Sequence, residues 1–357
     1  MSDYEFVDHP DSIAEELGTH VHVGVDTEFM REKTFFAELC LVQVATGEKI
    51  FCVDPLTSND SKSFWETLMR DTWVVHSARQ DIEVVVQSSE RMPERLFDTQ
   101  IAAGLLGYAP QMGYASLVKE LFDVEIDKTH TRANWLARPL PDKVLQYAAD
   151  DVAWLLPAHE LLSERLEQKG RLSWVEEDSA QLLNPQLYEI DPSLAVERMK
   201  GARNLRGRRR AAAARLAAWR ESEALRANRP RQWIAKDSAL LEVATRLPES
   251  IEGLNRIDEL PAGLIRRAGP TILAEIAASA DDARDYRPPA MPNESQKKQL
   301  KEMQKFVQKR AEDLGIAAET VASKRDLSAI IIDGGRNSKV LSGWRSEILG
   351  DRLLDLV

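Results

Sequence analysis

The chain predicts an α/β domain with a mixed sheet flanked by helices, followed by two small all-helical units. Three observations carry this. Short apolar strands alternate with amphipathic helices over the first half. Strand signals stop near residue 200, where the chain turns Ala- and Arg-rich. A stiff Pro-rich segment, Tyr286-Arg-Pro-Pro-Ala-Met-Pro-Asn293, then separates two helical stretches.

The elements follow in order. Residues 21–26, VHVGVD, read as an apolar strand running into DTEF. Residues 39–45 and 50–54 are two further strands, joined by the hairpin signal Thr46-Gly47-Glu48-Lys49. Residues 61–70 form a helix with Phe64, Trp65 and Leu68 on one face. Residues 72–76 are a strand, 81–87 open a helix, and Asp98 is placed to cap a helix over 99–106. Helices follow over 116–122 and 141–156. In the second half, 208–226 is a long helix and Asp237 caps one ending before Pro248. Another helix covers 270–279, and 294–313 opens the last helical unit. Ile234-Ala-Lys-Asp237 and Val321-Ala-Ser-Lys-Arg-Asp326 each precede a short apolar helix, which hints at a duplication.

Composition narrows the function. With 43% hydrophobic and 29% charged residues, this is a soluble globular composition. No apolar run is long enough to cross a bilayer, so no membrane partner is expected. The acidic opening MSDYEFVDHP lacks a targeting pattern, and Cys40 and Cys52 are the only cysteines, which fits a reducing cytoplasm. The net charge is −11, but residues 198–232 hold twelve basic residues against two acidic ones. That local +10 leaves −21 for the remainder, a basic collar on an acidic body suited to phosphate capture. The plainer reading is a solvated helix face.

The chemistry lies in the carboxylates. Asp26 and Glu28 are two apart near a strand end and share a face. Asp81 opens the helix after a buried strand. Asp151 sits one turn after Tyr147, on the same helix face. Alone, each has a bland explanation: a cap, a solvated acid, a structural tyrosine. Together, four carboxylates from three elements can hold two hard divalent cations, Mg²⁺ or Mn²⁺. Such a pair activates water and stabilises the leaving oxygen of a phosphodiester, and Tyr147 can orient that water. Asp150, adjacent to Asp151, is rotated about 100° around the helix and reads as solvated or supporting.

The segments VDTEFMREKTFFAELCLVQVATG, VVHSARQDIEVV, FDTQIAAGLLG, W-L-A-R-P-L and QYAADDVAWLLP resemble ribonuclease D, of the tyrosine-type DEDD 3′→5′ exonucleases, over residues 20–175. Residues 207–282 resemble an HRDC module, and the tail resembles a second one. The resemblance implies a ribonuclease H-like exonuclease domain over 1–200, HRDC-like domains over 201–285 and 294–357, and a linker over 286–293. It implies that Asp26, Glu28, Asp81 and Asp151 hold the metals and that Tyr147 positions the attacking water. Gln146 stands where histidine-type relatives carry His, so the tyrosine class is indicated. Asn134 stands where the family commonly has Asp before Trp135. The implied activity is release of 5′-monophosphates from RNA 3′ ends, in maturation of tRNA precursors, by a cytoplasmic monomer.

Phe29 and Met30 are candidates to stack on a terminal base, with core packing the alternative. Lys128, Arg132 and Arg138 flank the third motif as candidate phosphate contacts, as do Arg206, Arg208, Arg209 and Arg210 of the collar. His76 reads as a packed strand-end residue, and His20 and His22 as structural. Two rivals stay open: an exonuclease acting on DNA ends, and a non-catalytic RNA-binding protein on the same fold.

Overall fold

The computed structural model describes residues 3–57, 61–127, 133–285, 292–333 and 338–356. The chain divides into two compact units. One holds Met1–Met30, Leu39–Tyr188 and Ala290–Val357; the other holds Arg31–Glu38 and Glu189–Pro289.

In the first unit, six strands among the described residues form one sheet: β1 (Glu5–Val7), β2 (His22–Met30), β3 (Glu38–Ala45), β4 (Ile50–Val53), β5 (Thr72–Val75) and β6 (Arg95–Asp98). Their order is β1-β4-β3-β2-β5-β6. β1 runs parallel to β4, and β2 and β6 run parallel to β5. β3 and β4 pair antiparallel, with Ala45 opposite Ile50, as the hairpin signal predicts. Gly47 takes φ +92° in that turn, a conformation glycine adopts without steric cost. β3 is buried from Leu39 to Ala45, which is why it reads as a continuous apolar run rather than an alternating one.

Three predicted boundaries move. β2 continues to Met30, so Asp26 and Glu28 lie inside the strand and not at its end. The helix after β5 begins at Arg79, which puts Asp81 in its first turn. The helix expected over 141–156 is two helices, Asp142–Val152 and Leu155–Gln168. The Trp154 N–H donates instead to the Tyr114 hydroxyl at 3.0 Å, a partner outside the helix that ends its ladder. Asp98 caps as expected: its carboxylate accepts from the N–H groups of Gln100 and Ile101.

The second unit is built on the helices Gly207–Ala227, Asp237–Arg246 and Ala262–Asp285. The last is longer than predicted and carries Pro270 in its interior. Asp237 is the first helical residue and not the cap; its carboxylate takes the Arg220 guanidinium. Ala195, Val196 and Met199 pack with this helical core, so it begins before residue 201. Within the first unit, the helices Glu294–Leu314, Lys324–Asp333 and Gly343–Leu354 enclose a further core around Met303, Val307 and Ile330. The Pro-rich segment falls at 286–291, outside the described residues, apart from Pro292 and Asn293.

Candidate active site

Alternation along β2 puts Gly24, Asp26 and Glu28 on one face of the sheet. Gly24 lets a helix come close there. A Cβ at this position would stand 3.1 Å from Leu155 Cβ and 3.4 Å from the Val152 carbonyl oxygen. That approach brings Asp151, at the end of the helix Asp142–Val152, onto the strand. Carboxylate oxygens of Asp26, Glu28 and Asp151 all lie within 4.8 Å of one another. With His76, Tyr114, Tyr147 and Leu155 they line a cavity of about 230 Å³.

The cluster is electrostatically unbalanced. Burial, then the charges of Asp81, Asp151 and Glu28, push the Asp26 carboxyl well above the usual range. Burial and the charges of Asp151 and Asp81 push Glu28 up to about 8. Burial raises Asp151 to about 7, although the hydrogen bond from Tyr147 works the other way. The charges that raise Asp26 most are those of three other carboxylates. Clustered acids with no internal counter-charge and only oxygen donors fit hard divalent cations.

Asp81 stands apart from the trio of oxygens. It is 7% exposed, and its Oδ1 accepts from the Thr27 hydroxyl at 2.6 Å. Burial raises it to about 6 while the Thr27 bonds oppose that. Its charge still acts on Asp26 and Glu28. Tyr147 hydrogen-bonds Asp151. Burial and the surrounding acids hold its hydroxyl above the ordinary phenol value, so it stays protonated at neutral pH. The Tyr147 ring also leans on buried Trp135, centroids 6.4 Å apart.

Two cavity residues escape a reading of the sequence. His76 lines the cavity, where the sequence favours strand-end packing over a functional role. Its Nε2–H donates to the Met112 carbonyl at 2.8 Å, Nδ1 faces Thr99 Oγ1 at 2.9 Å, and burial lowers its pKa. Its position five residues before Asp81 is the available signal. Tyr114 gives none: its hydroxyl donates to the Asp150 carbonyl and accepts from Trp154 N–H, contacts set by tertiary packing. Asp150 itself faces Gln146, whose amide donates to it at 3.1 Å.

Comparison with known proteins turns this geometry into a family assignment. A family model described as 3'-5' exonuclease matches residues 7–167, and one for the HRDC domain matches 209–276. A protein named ribonuclease D from Acidiphilium cryptum is 36% identical, over 97% of this chain and 90% of its own length. Another from Jannaschia sp. is 37% identical, over 95% of this chain and 90% of its own. The chain belongs to the ribonuclease D family. The structure of Escherichia coli RNase D, described as an exoribonuclease involved in structured RNA processing, matches with a TM-score of 0.89 at 29% identity. That match covers 99% of this chain and 98% of that one. The chain is therefore a 3′→5′ exoribonuclease.

The nucleic-acid candidates fare unevenly. Arg138 is a structural tie: its guanidinium holds fully buried Asp54 at 2.5 and 2.8 Å and reaches the carbonyls of Cys40, Trp135 and Ala137. Met30 packs against a buried core cluster, while Phe29 is half-buried in β2. Lys128 and Arg132 lie outside the described residues. In the collar, Arg210 is buried and paired with Glu197, and half-buried Arg208 reaches the Ile276 carbonyl. Arg206 and Arg209 are exposed. Several of the collar arginines are thus paired inside the helical unit, where Arg198 and Arg231 hold Glu221, Arg215 holds Glu275 and Asp282, and Arg220 holds Asp237.

Proposed function

We propose that Asp26, Glu28, Asp81, Tyr147 and Asp151 are the catalytic centre, and that the four acids hold two divalent cations, Mg²⁺ or Mn²⁺. The observation that carries this reading is the convergence of Asp26, Glu28 and Asp151 oxygens with Tyr147 bonded to Asp151. The bound cations supply Lewis-acid stabilisation of charge on the phosphodiester and a more acidic water. The protein's own groups do the rest. Tyr147, held protonated, cannot serve as a base; its hydroxyl is suited to orienting a water by hydrogen bonding. His76, neutral and engaged at both ring nitrogens, shapes the cavity wall. A cavity of about 230 Å³ is of the size of a nucleotide or less, which suits one-at-a-time removal of 3′ nucleotides as 5′-monophosphates.

The substrates we propose are tRNA precursors and other small structured RNAs, processed in the cytoplasm by a monomer. No helix among the described residues is long and apolar enough to cross a membrane. Exposed Arg206 and Arg209 at the start of the HRDC module are suited to phosphate contact beyond the cleaved nucleotide. Residues 294–356 form a second HRDC-like unit in this reading, because they repeat the first module's element plan.

The test uses Asp26→Asn, Asp151→Asn and Tyr147→Phe on matched RNA and DNA oligonucleotides, with Mg²⁺, Mn²⁺ or chelator. The Asp variants should lose about a thousandfold or more in rate, as expected when several kcal/mol of charge stabilisation go, while retaining fold and RNA affinity. Tyr147→Phe should lower kcat by about a hundredfold with little change in KM. Near-normal turnover by either Asp variant with unchanged cation uptake would sink the site assignment. Preference for DNA would favour the rival substrate.

A further inference from the structure

We propose that Gln43 is a positioning residue for Asp26: its buried amide lies in the same row of the sheet and is the donor within that row available to the Asp26 carboxylate. The inference rests on the catalytic reading above. Gln43 is the one polar residue in the middle of the apolar strand Leu39-Cys-Leu-Val-Gln-Val-Ala45. It is fully buried, and neither Nε2 nor Oε1 has a hydrogen-bond partner. A buried amide without partners is less stable than an apolar group of similar shape, because its desolvation goes uncompensated. Packing gives no reason for a glutamine here.

Register supplies the reason. Residues directly opposite in an antiparallel pair share a face. Gln43 stands opposite Cys52. The Cys52 thiol points to the Leu145 carbonyl at 3.8 Å, so this face lies beneath the helix Asp142–Val152, which carries Tyr147 and Asp151. β3 is also the sheet neighbour of β2. The two are joined only by residues 31–37, too short for a parallel crossover of a dozen or more residues, so they too run antiparallel. A Cβ on Gly24 would lie 3.3 Å from Ala45 Cβ, which sets Gly24 opposite Ala45. Two residues on along β2 and two back along β3, Asp26 stands opposite Gln43. Asp26, Gln43 and Cys52 thus form one row across the sheet, under the helix that completes the site.

The chemistry of the row is one-directional. Asp26 receives a backbone hydrogen bond from Thr27, and the charges acting on it are those of acids, which donate nothing when ionised. An ionised carboxylate has about four acceptor positions, and a carboxamide beside it offers two N–H donors. Groups that hold a metal-binding carboxylate in this way typically change cation affinity or activity by about 10–100-fold when removed.

The test compares Gln43→Met with wild type in the full chain, with Gln43→Leu as a second apolar variant. Removing the orphaned amide should leave the metal-free melting temperature no lower than wild type. The Mn²⁺ concentration for half-maximal thermal stabilisation should rise about tenfold, and kcat should fall about tenfold at unchanged KM for RNA. A Mn²⁺ midpoint and kcat within about twofold of wild type in the two variants overturns the proposal, whatever happens to melting. Asp26→Asn is run alongside. If it too keeps the wild-type Mn²⁺ midpoint, the site reading has failed; if it alone loses the response, only the role of Gln43 has.

Discussion

Glu28 and Glu221 show two ways for a folded chain to keep a glutamate out of water. Glu221 is fully buried in the helical unit. Burial alone would raise its pKa, but the hydrogen bonds of Arg231 and the charges of Arg231, Arg198 and Arg220 hold it below the usual range. Glu28 lies beside Asp26 and Asp151, and burial with those like charges carries it up to about 8. One acid is neutralised by the protein's own arginines. The other is left with a deficit that only an added cation or a proton can meet. The paired acid and the clustered acid differ in what surrounds them, not in residue type.

This contrast can be broken from either side. The largest effect expected is in the site. Carboxyls with raised pKa bind protons in the folded state that the unfolded chain has already lost. Their contribution therefore falls as pH rises, from the ordinary carboxylate range through about 6, 7 and 8 for Asp81, Asp151 and Glu28. Melting curves in chelator should show the nuclease unit weakening across that window. Millimolar Mg²⁺ should restore several degrees at the upper end and little at the lower, and Asp26→Asn should melt higher than wild type at the upper end without metal. A flat profile in chelator would remove the idea of an uncompensated cluster.

A smaller effect is expected from Arg231→Ala, which leaves Glu221 short of two hydrogen bonds at 2.6 and 2.7 Å. Denaturant unfolding should show a loss of about 1–3 kcal/mol, because Arg198 still faces the acid. Glu221 favours folding above its unfolded-state pKa, and that share is lost as pH falls through its depressed folded value. The penalty should therefore shrink in acid, opposite in sign to the site. Unchanged stability in neutral buffer would mean the arginines are ornamental.

The smallest change concerns exposed Arg206 and Arg209. Replacing both with Ala should leave melting unaltered and reduce the log–log salt slope for a structured RNA by about 0.7–0.9 for each phosphate that is no longer neutralised. A short single-stranded oligonucleotide should show no difference. Arg210 is excluded from this pair because it is buried on Glu197, and its removal would damage the fold.

Much of the fold and site is legible in the chain, for physical reasons that can be named. D-x-E in a strand and Y-x-x-x-D in a helix put side chains on a common face by backbone geometry alone. The hint of duplication also has a structural counterpart. Each helical unit has a 21-residue helix, a four-residue turn and a 10-residue helix. The residue after each turn, Ala235 and Ala322, is extended, with φ −159° and −155°. Their surfaces diverge. In the first, Arg220 turns inward to Asp237. In the second, Trp344 stacks on Trp174 with centroids 4.4 Å apart and Arg345 grips Asp178 at 2.5 and 2.8 Å. Nothing in the local pattern distinguishes an arginine that will pair from one that will meet RNA, which is why the expectation of phosphate contact fails at Arg138 and Arg210.

The sequence by itself determined the element types, the order of the clustered acids along the chain and the tyrosine one turn before the last of them. Those features depend on periodicity and on contacts within a few residues. Tertiary structure decided which charges are answered and which are not. It placed Asp81 on Thr27 and away from the trio, drew His76 and Tyr114 into the cavity wall, and buried Gln43 without a hydrogen-bond partner. The physical reason is that a side chain's electrostatic fate depends on partners brought close by folding. Asp26 and Asp151 are 125 positions apart in the chain and less than 5 Å apart at their carboxylates.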